Sequence, residues 1–526
     1  MTTLETDTAE PPSLAPAPDP APPSPARRGR WIDHWDPDDE RFWDQTGARI
    51  AKRNLTWSMF AEHIGFSVWV LWTIIVLNLG NAGFDLSVSE LFLLTLVPNL
   101  IGSMLRIPYT FAVPRFGGRA WTTVSAALLF LPTLLLAVVV PSGWLMGLSN
   151  SAQFWILLIC AGTAGLGGGN FSSSMANISF FYPEKKKGWA LGLNAAGGNL
   201  GVFTAQLLVP LALIVGVPYA AAKLPVHRVH LAYAGLMWMP FIAAAALIAW
   251  FRMDSIRSAR ADKRSYVEAL SNRHTWIMSF LYIGTFGSFI GFSFALPLVI
   301  KNTFPEFLAG HPFIATYLAG LGFMGALIGS LSRPVGGWLS DKISDTISGT
   351  KLTLGVFVGM AAFTGVAIAG VQARSFPIFF GSFMVIFLLS GMGNGSTYKM
   401  IPSIFARLGQ QEARQRPAGA KATALEFKRR AAGVIGIAGA VGAFGGVLIQ
   451  VVLRQASLDV SAAVKAAKTP AEKVAVAAAN AEWSVPALWV FLASYLVFAT
   501  TTWLVYLRTT GAGAEEGRAS LAAVTP

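Results

Sequence analysis

The apolar residues of this chain follow neither the stripe of a surface helix nor the alternation of a half-buried strand. They come in uncharged blocks of about 20, such as 121–140, 231–250 and 352–370. A run of ~20 apolar residues is the length a helix needs to cross a bilayer core. Backbone groups in lipid must be satisfied within the segment, so helices are the natural form. The pattern predicts an all-α membrane protein of twelve spans, over about 55–79, 88–112, 120–140, 153–181, 189–215, 231–252, 275–300, 314–339, 352–371, 376–405, 431–453 and 486–507. Many of the 52 glycines fall inside these spans. In membranes, small residues let helices approach closely.

Composition agrees. Of 526 residues, 54% are hydrophobic and 13% are charged, about half the charged share of a soluble domain. That excludes a soluble multi-domain enzyme. The net charge of +13 would suit nucleic acid, but its placement gives another meaning. With the N-terminus taken as cytoplasmic and its tail left uncounted, cytoplasmic loops and the C-terminal tail hold 22 Lys/Arg, and the opposite loops hold 8. The positive-inside rule then puts both termini in the cytoplasm. The basic balance is a topology signal, and no nucleic-acid partner is expected.

Cys160 is the sole cysteine, so no disulfide framework or multi-thiolate metal site is expected within one chain. The Pro/Ala-rich start lacks an apolar h-region and reads as a tail rather than a signal peptide. The expected organisation is a disordered cytoplasmic tail over 1–50, a six-helix half over 51–252 and a basic cytoplasmic linker over 253–274. A second six-helix half over 275–508 and a cytoplasmic tail over 509–526 follow.

The halves repeat one plan. Arg106 in span two and Arg333 in span eight are 227 residues apart. Gly165-Leu-Gly-Gly-Gly-Asn in span four and Gly391-Met-Gly-Asn-Gly-Ser in span ten are 226 apart. Spans five and eleven carry Ala195-Ala-Gly-Gly-Asn-Leu-Gly and Gly439-Ala-Val-Gly-Ala-Phe-Gly-Gly, 244 apart. Such internal symmetry belongs to transporters built from repeats. The loops Gly337-Trp-Leu-Ser-Asp341-Lys342 and Pro183-Glu-Lys-Lys-Lys-Gly188 resemble those of the major facilitator superfamily. The first-half loop Arg115-Phe-Gly-Gly-Arg119 lacks the acidic residue expected there.

The candidate chemistry is the arginine pair. Arginine near a bilayer centre costs about 2.5–3.5 kcal/mol on insertion scales and normally faces a path or a partner. Few acids are available as partners. Asp85, Glu90 and Glu306 lie toward the outer surface, and Glu184, Asp341 and Asp345 toward the inner one. The substrate is then the expected counter-ion. Guanidinium is planar, always charged and presents paired donors that fit a planar oxyanion. Nitrate and nitrite have that shape, though phosphate or a dicarboxylate would also suit two arginines.

The sequence resembles NarK-type nitrate/nitrite porters over nearly the whole membrane region. The matching segments are Leu105-Arg106-Ile-Pro-Tyr-Thr-Phe, Asn170-Phe-Ser-Ser-Ser-Met-Ala-Asn177, Gly192-Leu-Asn194-Ala-Ala-Gly-Gly-Asn199-Leu-Gly201, and His274-Thr-Trp-Ile-Met-Ser-Phe-Leu-Tyr282-Ile-Gly-Thr-Phe286-Gly. The resemblance implies that Arg106 and Arg333 clamp the anion, that Asn194 and Tyr282 add hydrogen bonds, and that Phe286 walls the site. It implies nitrate and nitrite as substrates, with a role in nitrate assimilation at the inner membrane. Two like charges facing each other in an empty site, and the lack of a carboxylate expected at the midplane, make nitrate/nitrite exchange the expected mode. No cofactor, metal or enzymatic activity is expected, and a monomer is.

Other polar residues have plainer expected roles. Asn170, Ser173, Ser174 and Asn177 share one helix face and suit helix–helix hydrogen bonding. Lys399 is placed to snorkel to the inner interface, and Trp57, Trp69 and Trp72 to pack or anchor. Glu62-His63 in span one is expected near the inner interface, within reach of water. If Glu62 lies deeper, proton-coupled nitrate symport is the alternative to exchange.

Overall fold

The computed structural model describes residues 27–28, 30–222, 224, 228–257, 263–343, 347–415, 420–467, 469, 472, 475–476 and 479–508. The rest of the expected tails, Asp345, and much of the Ala-rich insert over 455–482 lie outside the described residues.

Among the described residues, twelve long helices follow one another along the chain. In the first half they are α1 (Glu40–Asn78), α2 (Val88–Phe116), α3 (Gly118–Val138), α4 (Asn150–Phe181), α5 (Glu184–Leu213) and α6 (Leu231–Arg252). In the second they are α7 (Arg273–Thr303), α8 (Phe323–Ile343), α9 (Thr350–Gln372), α10 (Phe376–Gln415), α11 (Ala420–Ala456) and α12 (Ala481–Arg508). Eleven are long and apolar enough to span a membrane. The remaining one, α8, has the length, but Arg333 and several serines and glycines lower its hydropathy. The start of α1 and the end of α12 share one face, here the terminal face; the opposite one is the far face.

Glycine sets how the helices cross, and it does so twice. A side chain at Gly168 of α4 would strike the Trp69 ring and Gly102 of α2, and one at Gly391 of α10 would strike Ser332 and Gly329 of α8. Thus α2 rests on α4 as α8 rests on α10. Likewise Gly201 of α5 abuts the His63 carbonyl on α1, and Gly445 of α11 abuts the Ile283 carbonyl on α7. Close backbone approach of this kind supplies the packing that drives helix association in lipid.

The far face is tied shut between halves. Thr95 of α2 donates to Gln450 of α11 (3.1 Å), Gln206 of α5 to the Ser293 carbonyl of α7 (2.7 Å), and Lys301 of α7 to the Leu77 carbonyl of α1 (2.5 Å). The Ser89 amide donates to Ser461 (2.9 Å), on the helix Leu458–Ala466 that begins the Ala-rich insert.

On the terminal face, the segment expected as bare tail is built into the fold from Trp31 onward. Strand β2 (Trp31–Ile32) pairs antiparallel with β1 (Arg27–Arg28) and parallel with β3 (Ser255–Ile256), which lies just after α6. Apolar anchoring is the cause: Ile32 and Trp43 are buried with Tyr182 and Phe181, and Trp35 donates to the Phe180 carbonyl at 3.0 Å. Asp254 is buried beside this sheet and is held by Arg53 and Asn54. Gly117, at φ 85°, turns α2 into α3 here, where a side chain would meet Ser255 and the Trp31 ring.

Gly445→Val forces a branched side chain against Ile283 and Gly287, whose atoms lie only about 3 Å from where its Cβ would stand; overpacking of this kind costs about 1–3 kcal/mol. Gly188→Val, on open surface, is the control. Thermal unfolding in detergent should show a clear drop for the first and less than about 0.5 kcal/mol for the second.

Candidate functional site

Arg106 enters from α2 and Arg333 from α8, one per half, and both are buried, at 0% and 3% exposure. Their guanidiniums gather about one ring. Phe171 of α4 lies 4.5 Å from the Arg106 carbon and 5.9 Å from that of Arg333. Phe286 covers Arg106 at 4.9 Å and Trp69 does so at 5.6 Å, while Tyr398 covers Arg333 at 5.0 Å. Phe171, Phe286 and Tyr282 form a stack that crosses from one half to the other, with ring separations of 5.8 and 5.4 Å. Aromatic faces stabilise desolvated cations, which a hydrocarbon wall would not.

Hydrogen bonds fix each arginine but leave it incompletely satisfied. Arg106 donates from Nη1 to the Gly439 carbonyl of α11 (2.8 Å) and from Nε to the Gly168 carbonyl (3.3 Å). Arg333 donates from Nη2 to the Tyr282 hydroxyl (3.2 Å). Arg106 Nη2 and Arg333 Nη1 are buried with no partner. Among the described residues neither arginine forms an ion pair. A buried donor without an acceptor is costly, and here two are left open, one on each half.

A local break in α7 shapes this wall. Directly after Tyr282, residues Ile283–Gly287 form a π-helical turn that contains Phe286. Such a turn shifts the side chains that follow it around the helix and is frequent at functional sites.

The structure therefore brings Arg106, Arg333, Tyr282 and Phe286 together. Asn194 makes its hydrogen bonds to other partners. Its Nδ2 donates to Glu62 Oε2 (2.7 Å) and to Ser174 Oγ (2.6 Å), and its Oδ1 is buried without a partner. Glu62 corrects the expectation of a water-exposed pair near the interface: it is 1% exposed. Arg53, which binds Asp254 at the terminal face, is nine residues earlier on a continuous helix, so Glu62 lies about 13 Å further in. His63 Nδ1 lies 3.1 Å from the Gly197 carbonyl.

Of the polar face on α4, Ser174 makes the inter-helix bonds, to Glu62, Asn194 and Ser58. Ser173 bonds within its own helix. Lys399 pairs with Asp341 at 2.7 Å on the terminal side, as its expected interfacial role requires. Trp69 is more than packing: it donates to the Pro98 carbonyl (2.8 Å) and covers Arg106. Sequence reasoning does not single out Phe171, Tyr398 or Trp69 as site residues. Phe171 lies two residues past the glycine run of span four, which is the signal that could have marked it.

Residues 59–427 match the family model described as Major Facilitator Superfamily. The chain is 35% identical over 486 residues to the nitrate/nitrite transporter NarU of Escherichia coli (strain K12), covering 90% of this chain and 96% of that one. It is 35% identical over 428 residues to the probable nitrate/nitrite antiporter NarK2 of Thermus thermophilus, covering 80% and 88%. Among solved structures, a bacterial homolog of the human lysosomal transporter Spinster, inward-facing and occupied, superposes with a TM-score of 0.55 at 16% identity, covering 86% of this chain and 95% of that one. That last likeness concerns the fold.

Proposed function

The chain belongs to the Major Facilitator Superfamily and, within it, to the nitrate/nitrite porters, and from that premise we propose that it carries nitrate and nitrite by alternating access, exchanging one for the other. It is a transporter and not an enzyme. The observation that carries the reading is the pair of buried guanidiniums, each with one unpartnered donor and neither with a protein counter-ion among the described residues. A flat monovalent oxyanion set between Arg106 Nη2 and Arg333 Nη1 satisfies both donors at once. Phe171 and Phe286 then lie against its apolar faces and Tyr282 beside its edge.

Placing one arginine on each half makes the anion a bridge across the seam. The halves, taken as 51–252 and 275–508 joined by 253–274, rock about this bridge. Without an anion the two like charges repel across a low-dielectric gap. With one bound, that repulsion is offset and the seam can close. This is the physical basis for exchange: the loaded form crosses more readily than a form with only the two arginines.

The Lys/Arg bias of 22 to 8 supports an inner-membrane location with both termini cytoplasmic. In that orientation the far face is periplasmic and is the side tied shut. The site is complete within one chain, which supports a working monomer. Reporter fusions at Lys186, Arg260 and Arg416 should read as cytoplasmic and those at Lys223 and Lys468 as periplasmic; a periplasmic reading at Arg260 overturns the orientation.

Two functional outcomes are expected. Arg106→Lys and Arg333→Lys keep the charge but lose the planar fork. Loss of one charge-assisted hydrogen bond is worth about 1.5–3 kcal/mol, or ~10-fold or more in nitrate affinity. Calorimetry or thermal-shift titration of the purified variants checks it, and parental affinity in both removes the anion from this site. Nitrate uptake into proteoliposomes should be strongly accelerated by internal nitrite. Equal rates with and without it would rule out exchange as a mode.

A further inference from the structure

The glycine run of α10 carries a polar side chain that the clamp described above does not use. Asn394 lies in Gly391-Met-Gly-Asn394-Gly-Ser and is fully buried. Neither its Nδ2 nor its Oδ1 has a partner among the described residues. A carboxamide carries both donors and acceptors, and burying it unpaired is costly. The close helix crossings here are made by its glycine neighbours. A side chain at Gly391 would strike Gly329 and Ser332 of α8, one at Gly393 would strike Thr285 of α7, and one at Gly395 would strike the Arg333 carbonyl.

Two independent registers put this amide beside the anion clamp. The first is the pairing of α10 with α7. The Tyr282 and Tyr398 rings are 5.1 Å apart, the Thr285 and Thr397 hydroxyls 3.3 Å, and the Phe289 and Phe387 rings 6.2 Å. The order of partners reverses, so the helices run antiparallel. Asn394 falls between Thr397 and Phe387 on α10, as Phe286 falls between Thr285 and Phe289 on α7. Asn394 is thus level with Phe286, a ring that covers Arg106. Phe387, Asn394 and Tyr398, spaced by seven and four residues, also share one face of α10, and Tyr398 covers Arg333.

The second register is the internal repeat. Gly165 of α4 meets Gly102 of α2 as Gly391 of α10 meets Gly329 of α8. The α4 and α10 glycines are 226 residues apart, and the α2 and α8 glycines 227. In that frame Asn394 matches Gly168, also 226 residues earlier. The Gly168 carbonyl accepts from Arg106 Nε. The matching place in the second half belongs to Arg333, and there the chain carries a side-chain amide in place of a bare glycine.

We propose that Asn394 is a further anion ligand, donating from Nδ2 to the third oxygen of nitrate and so setting a preference for nitrate over nitrite. This rests on the nitrate and nitrite reading above. Two oxygens of the anion go to the open donors, Arg106 Nη2 and Arg333 Nη1. Tyr282 shares the Arg333 guanidinium and stands on that side. The third oxygen of nitrate takes the Asn394 amide. Nitrite lacks that oxygen, so with nitrite bound the amide stays buried and unpaired. A site built to hydrogen-bond one group of a ligand rejects the analogue without it, because its own polar group is left unmet. The amide is neutral, so this discrimination reads oxygen count and leaves the charge of the clamp as it is.

Asn394→Ala removes the amide. Calorimetric titration of the purified full chain should show nitrate affinity falling about 10-fold or more, the scale of one hydrogen bond to a charged group. Nitrite affinity should stay close to the parent's. The ratio is the readout, because a variant that merely loosens the fold weakens both anions together. Asn394→Gly, which copies the residue at the matching place in the first half, is the second variant and should give the same pattern. Equal loss of both anions in the two variants overturns the proposal, as does unchanged nitrate affinity. A parent protein that binds neither anion sinks instead the reading on which the proposal rests. Transport gives a second measurement. In proteoliposomes, external nitrite should compete with nitrate uptake about 10-fold more effectively in Asn394→Ala than in the parent, on the same hydrogen-bond scale. An unchanged competition ratio also overturns the assignment.

Discussion

Two guanidiniums held in the middle of an apolar body, with no ion pair to either among the described residues, are the constraint on which the rest of this structure depends. Everything near them answers their cost. Helix carbonyls at Gly168 and Gly439 take some of their donors. The rings of Trp69, Phe171, Phe286 and Tyr398 stand where lipid-like side chains would otherwise be. In the function proposed above, the remaining donors are left for the cargo. A protein that met every donor internally would be more stable but would lack that means of recognition.

The close helix crossings serve the same end. Carbonyls can reach Arg106 only if the backbone of α4 and α11 lies nearby, and a Cβ at Gly168, or at Gly442, Gly445 or Gly446 of α11, would hold those helices off. Arg333 is held differently, by the Tyr282 hydroxyl.

Much of this is legible in the sequence because its signals are strong. An arginine in an uncharged block, a scarcity of deep acids and glycine runs at matched offsets all point one way. What escapes the sequence depends on rotation and depth. The nine residues from Arg53 to Glu62 already allow a depth of about 13 Å, but that Ser174 and Asn194 close over the carboxyl and bury it is not written in the spacing. Asn194 belongs to a segment that resembles a substrate-binding one, but which neighbour its amide meets is set by how α5 rotates against α1. The π-helical turn at Ile283–Gly287 leaves no periodic trace over five residues. Trp31 and Ile32 pair with a strand more than 200 positions later, a non-local contact that a proline-rich neighbourhood conceals.

Glu62 of α1 and Tyr282 of α7 are each lodged against a glycine, Gly198 and Gly442, so the duplicated frame offers the same position once in each half. The two copies are filled differently. Tyr282 uses its place to hold Arg333, whereas Glu62 is held by Ser174 and Asn194. A duplicated frame therefore lets one copy of a position stay committed to its arginine while the other takes on a different chemistry, and the two can diverge without a change of fold.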